Sequence, residues 1–128
     1  MNKNINDLIP KALAAIKKSK IANDANEVEK EYKGYIASMG ASIIQSGLLA
    51  TLAFYSNEQS GSADKRLKLI NAVNLVIWTN SKDNLLSNVI ANSDNGANKL
   101  ELDKFEKQIS NALIALKLSL RTFKQKEK

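Results

Sequence analysis

The sequence predicts an all-α protein: a compact single-domain bundle of five or six helices around a buried central helix. Three observations carry this. The chain has one proline and five glycines, too few for the many turns of a β-protein. Its apolar residues recur at three- and four-residue spacing almost throughout, the period of one helix face. The stretch 36–55, IASMGASIIQSGLLATLAFY, holds no charged residue in a chain that is 25% charged.

That stretch is the predicted centre. From Ile43 to Tyr55 the apolar side chains follow no single stripe. Ile44, Leu48, Thr51, Leu52 and Tyr55 cover one side, Ile43, Gly47, Ala50 and Phe54 the next, and Leu49 and Ala53 much of the rest. A helix apolar all round belongs in a bundle interior or a membrane. The segment is long enough to span a bilayer, but Ser38, Ser42, Gln45, Ser46 and Thr51 would place polar groups at costly depth. The reading is a buried helix, broken from the one before it at Gly40, with glycines and small residues letting its neighbours approach closely.

The other elements follow in order. Ile5, Leu8, Ile9, Ala12, Leu13 and Ile16 make a first amphipathic helix, with Pro10 in or near its first turn, where the missing N–H matters least. Lys17 and Lys20 close it, as suits the negative end of a helix dipole. Asn23 or Asp24 caps a second helix running through Val28, Tyr32, Tyr35 and Ile36 to Met39. Glu27, Glu29 and Glu31 alternate there with Lys30 and Lys33. A polar loop covers 56–62. Ser62 caps a helix over 63–79 that buries Leu69, Ile70, Val73, Val76 and Ile77. Ser81 caps a short helix carrying Leu85, Leu86, Val89 and Ile90. NSDNGAN, 92–98, is a loop. The last helix, 102–124, carries a core stripe of Leu102, Phe105, Ile109, Ala112, Leu116, Leu120 and Phe123. Beside it Lys117, Arg121, Lys124 and Lys128 stack along one line. No repeat or linker divides the 128 residues.

Composition excludes much chemistry. The chain has neither cysteine nor histidine, so it lacks thiolate chemistry, the commonest general base and the commonest metal ligand. Asp103 and Glu106 could share a hard cation, but acids in a first turn complement the helix dipole without one. No glycine-rich loop follows a strand, so phosphate-cradle motifs are missing. The expectation is a protein without catalytic residues, metal, cofactor or small-molecule substrate. The N-terminus does not read as a signal peptide, and the protein is expected to be cytoplasmic, with no membrane partner.

Charge points to polyanions. Nineteen Lys and Arg stand against 13 acids, a net charge of +6, which favours nucleic acid, an acidic protein face or a membrane surface. Seventeen of these cations are lysines and two are arginines. Arginine is the bidentate reader of bases, so contact with a phosphate backbone fits better than sequence readout. Three basic groups are candidates: Lys17, Lys18 and Lys20; Lys65, Arg66 and Lys68; and Lys117, Arg121 and Lys124. Each alone reads as a solvated face; together they form a backbone-binding track if the fold brings them to one side. The aromatics read mainly as core, Trp78 included, with a partner anchor as its second reading. No interleaving of exposed aromatics with basic residues is visible.

One stretch carries a family resemblance. EYKGYIASMGASIIQSGLLATLAFY, 31–55, resembles the signature of the small helical subunit of the type III-B CRISPR effector, the Cmr complex. Tyr35, Ile43, Ile44, Gln45, Gly47, Leu48, Ala53 and Phe54 occupy the signature's places; Gly40 stands where proline is usual and Ser46 where asparagine is usual. A helix ending near Trp78 and a basic-aromatic C-terminus with Arg121 and Phe123 are similar to the family as well. The resemblance implies a non-catalytic subunit that stacks with copies of itself and other Cmr subunits, beside the guide RNA and target RNA. Its basic side chains would meet the RNA backbone in antiviral defence. Of the basic residues only Arg121 carries over from the family; Lys17, Lys18, Lys65, Lys68, Lys117 and Lys124 are inferred from charge. The competing reading is a small helical protein-binding module, such as a bacteriocin-immunity-like protein.

Overall fold

The computed structural model describes residues 3–57 and 63–126. Six helices follow one another: α1 (Lys3–Lys18), α2 (Glu31–Ser46), α3 (Leu48–Tyr55), α4 (Ala63–Ile77), α5 (Leu85–Ala91) and α6 (Lys99–Leu120). Two-residue strands, β1 (Glu27–Val28) and β2 (Lys124–Gln125), pair in parallel. The all-α class is as the sequence predicts. Among the described residues no helix is long and apolar enough to cross a membrane.

The centre of the bundle is α6, which packs chiefly on α1 and also on α4 and α2, while α1 packs on α4. Alanines make this close approach possible: Ala12 and Ala15 of α1, Ala72 of α4, and Ala112 and Ala115 of α6 are all fully buried. Between them sit Ile16, Leu69, Val73, Val76, Ile109 and Leu116. Small side chains admit the neighbouring backbone and large ones fill what remains, giving crystal-like packing.

The charge-free stretch is not that centre. α2 runs straight through Gly40, and the break comes at Gly47, with φ 91° and ψ 164°. Only glycine takes that backbone without strain. Gly40 continues the helix because Ile36, Met39 and Ile43 stay buried on one face, and their burial outweighs a helical glycine's cost of roughly 0.5–1 kcal/mol. At Gly47 the chain folds back on itself as a helical hairpin. Ser42 Oγ lies 2.7 Å from Thr51 Oγ1, Thr51 Oγ1 donates to the Gly47 carbonyl at 2.9 Å, and the Tyr55 hydroxyl donates to the Tyr35 carbonyl at 3.3 Å. Ser42, Thr51 and Tyr55 thus find partners within the hairpin, while Ser38, Gln45 and Ser46 face solvent. Each half shields only one side of the other, so Ile44 is 83% exposed and Phe54 56% exposed. Ala41, Ala50 and Ala53 are exposed too.

Other boundaries also moved. Pro10 lies inside α1 rather than in its first turn, and α1 tolerates the lost donor because Ile5, Ala12, Ala15 and Ile16 anchor it on both sides. Asn23 does not cap α2. Its Oδ1 accepts from Ala25 N at 3.0 Å and Glu27 N at 2.9 Å, closing a tight turn before β1, and α2 begins at Glu31 with no side-chain cap. Asn84, not Ser81, caps α5, accepting from Ser87 N at 2.8 Å, and Asn98 caps α6, accepting from Glu101 N at 3.1 Å. Ser81 accepts instead from Asp83 N and from the Asn88 side chain, at 3.1 and 3.0 Å. Asn88 Nδ2 also donates to Asn74 Oδ1 at 2.9 Å, and Asn74 Nδ2 to the Asp83 carbonyl at 2.8 Å. This buried amide network pins the α4–α5 connection. The expected cap Ser62 lies outside the described residues.

Candidate nucleic-acid interface

α6 stops at Leu120, four residues short of the sequence expectation, because 124–125 leave the helix to form β2. Arg121 occupies the C-cap. Lys117, Arg121 and Lys124 are exposed, but they do not form one helical line, since Lys124 sits in a strand; Lys128 lies outside the described residues. Their cations suit the negative end of α6.

The strands decide which basic groups meet. Ala22, just past α1, bridges Val28. Val28 pairs with Gln125, and its carbonyl accepts from Lys126 N at 2.8 Å. The C-terminal ends of α1 and α6 are thereby brought to one end of the molecule. Lys17 and Lys18, both exposed in the last turn of α1, share that end with Arg121 and Lys124. None of these five cations, Lys117 included, enters an ion pair among the described residues.

The basic group on α4 behaves differently. Lys65 Nζ lies 2.8 Å from Glu29 Oε2 and 3.8 Å from Glu31 Oε2, and Lys68 Nζ lies 3.2 Å from Asp64 Oδ2. The hydrogen bond that Lys65 donates to Glu29, more than any other influence, raises the Lys65 pKa. Arg66 is buried at the surface of the hairpin, its guanidinium 4.8 Å from the centre of the Phe54 ring. This is a cation–π pair and an exposed aromatic beside a basic residue, which spacing alone did not reveal. Tyr55 lies beneath; its burial raises its pKa, and the Arg66 charge pulls the other way. Trp78 is half-buried against Phe105, ring centres 5.4 Å apart, as the core reading has it.

Two cations emerge that the sequence left in a mixed-charge run. Lys30, at the start of α2, and Lys33, in its first turn, line a cleft of about 250 Å³ whose far wall is Arg121, Leu120 and Phe123. Among the described residues Glu29 is the only carboxylate in the lining, and Lys65 engages it. Nothing local could have singled out Lys30 and Lys33, because their partner wall is supplied from the other end of the chain. A larger cleft of about 350 Å³, between α1, the end of α4 and α6, sets Asp7 against Lys11 and offers a polyanion no net charge. Asp103 and Glu106 line one cleft on α6 together with Lys107, and among the described residues no group of three or more acids could hold a metal ion.

The family of the CRISPR-associated protein Cas_Cmr5 matches residues 7–118. The chain belongs to that family. Its members are CRISPR-associated, and membership makes the chain a Cmr subunit, a component of a CRISPR effector complex. The match covers α1 to the last turn of α6, so Lys17, Lys18, Lys30, Lys33, Lys65, Lys68 and Lys117 fall within the Cas_Cmr5 region. Arg121, Lys124 and β2 fall beyond it. No curated protein and no solved structure matches the chain.

Proposed function

We propose that the chain is the non-catalytic small subunit of a type III-B CRISPR RNA-guided RNA-targeting complex. It stacks along the guide–target duplex with copies of itself and the other Cmr subunits, and meets the RNA backbone through basic side chains in antiviral defence. The observation that carries this reading is the gathering, where α1 and α6 end, of exposed cations that enter no ion pair among the described residues. A lysine-rich surface with few arginines holds phosphates without reading bases, which suits a subunit whose complex takes its sequence information from a guide. Lys17, Lys18, Lys117, Arg121 and Lys124 lead the contacts. Lys65 and Lys68 are secondary, because carboxylates already engage them. Family membership favours this reading over the protein-binding module.

The test is target-RNA binding by the reconstituted complex, titrated over a range of salt. Replacing the five leading cations by alanine weakens binding and flattens its salt dependence together, since each lost phosphate contact removes about 0.7 from the logarithmic slope on single strands. A five-fold variant that assembles and binds RNA like wild type, with the same slope, overturns the reading.

A further inference from the structure

The cleft at the foot of α2 differs from the open lysine surface around it. Lys30 and Lys33 come from one wall and Arg121 from the other, so two segments from opposite ends of the chain aim three cations at one recess of about 250 Å³. The one carboxylate in its lining among the described residues, Glu29, is engaged by Lys65 at 2.8 Å. The remaining lining is apolar or neutral, with Leu120 and the half-buried Phe123 prominent. The walls are held together by backbone: β1 pairs with β2, and Lys126 N donates to the Val28 carbonyl at 2.8 Å. Lys30, Lys33 and Arg121 are each exposed, but their placement on two walls of one recess lets three charges act on a single compact anion. Arginine supplies a planar fork that matches two phosphate oxygens, and the lysines supply point charges for the others. An aromatic wall beside the anion is where a sugar or splayed base packs.

We propose that this cleft seats a single phosphate of a nucleic-acid backbone, held jointly by Lys30, Lys33 and Arg121, with the adjoining nucleoside against Phe123. The proposal rests on the reading of the chain as an RNA-contacting subunit and adds a fixed anchor point to it.

The experiment uses the full chain, a fluorescent single-stranded oligouridylate and anisotropy titrations at several salt concentrations. It compares wild type with K30Q, K33Q, R121Q and the triple variant, each checked for an unchanged urea midpoint. Because the three cations share one phosphate, each single variant weakens binding several-fold and the triple variant is little worse than the weakest single. The logarithmic salt slope falls by about 0.7, the value for one phosphate on a single strand. Inorganic phosphate displaces the oligonucleotide from wild type more effectively than chloride at equal ionic strength, and this excess disappears in the triple variant. F123L weakens binding without changing the slope. A triple variant that binds like wild type, while alanines at Lys17, Lys18, Lys117 and Lys124 abolish binding, overturns the cleft and leaves the RNA reading standing. A slope that falls by about three times as much shows three separate phosphates and also overturns it. If wild type binds polyglutamate and not the oligonucleotide, the occupant is an acidic protein, and both this proposal and the RNA reading fail.

Discussion

Two parts of this molecule use apolar residues in opposite ways. The α2–α3 hairpin carries no charge from Gly34 to Asn57, yet leaves Ile44 and Phe54 largely in water. α1, which ends in lysines and mixes polar residues throughout, buries Ala12, Ala15 and Ile16 completely. Mean hydropathy therefore misplaces the centre of the bundle. What marks a core helix here is a stripe that alternates small and large apolar residues at helical spacing, because only that pattern lets two backbones close on each other. An uncharged run with apolar residues on every side has more apolar surface than one neighbour can cover, and the surplus faces outward.

The sharpest break in this comparison is a pair of truncations. Leu116→Ala, in the fully buried stripe of α6, costs about 2–5 kcal/mol in urea denaturation. Ile44→Ala, within the most apolar run of the chain, stays within about 0.5 kcal/mol of wild type. Equal costs for the two would return the hairpin to the centre. Next come the two glycines. Gly47→Ala destabilises by about 1–3 kcal/mol, because alanine resists the left-handed backbone at φ 91°. Gly40→Ala has the reverse sign, stabilising by about 0.5–1 kcal/mol, since a Cβ there meets nothing within 4 Å and the helix gains propensity. If Gly40→Ala proves the more damaging, the hinge has been assigned to the wrong glycine.

A third test uses pH. Burial raises the Tyr32 pKa well above its ordinary value of 10.0, with Glu29 adding to the effect. The folded chain keeps that proton after the unfolded chain has lost it. The contribution is therefore complete below pH 10 and declines above it, by about 1 kcal/mol over the next pH unit. Tyr32→Phe removes that part of the decline, and an unchanged alkaline profile in the variant would show that the hydroxyl is solvated. The smallest effect belongs to α6. Ser119 is buried, and among the described residues its Oγ has no hydrogen-bond partner. Ser119→Ala is then neutral or stabilising by less than about 1 kcal/mol in a thermal melt, and a clear loss of stability would reveal a partner for the hydroxyl.

The helical class, the α4 face of Leu69, Ile70, Val73 and Val76, and the α6 stripe were legible because periodicity is local and repeated over many turns. The hinge was not, because Gly40 and Gly47 look alike in sequence; only the burial of Met39 and Ile43 on one face settles which of them stays helical. Caps misled for a related reason. Asn23, Ser81 and Asn84 are all competent capping residues, and tertiary packing chose among them. At the candidate interface, the basic ends of α1 and α6 could be read from charge. Lys30 and Lys33 could not, because their significance depends on a strand pairing between segments remote in sequence. Lys65 and Lys68 looked equivalent to the others until their carboxylate neighbours were in place.

The β1–β2 pairing has a consequence for biogenesis. During synthesis the segment ahead of α2 leaves the ribosome early, while its strand partner at 124–125 is among the last described residues to follow. Contacts of such sequence separation form late. The nascent protein thus carries Lys30 and Lys33 with the opposite wall of their cleft still missing, and that cleft is complete only once translation has passed Lys126.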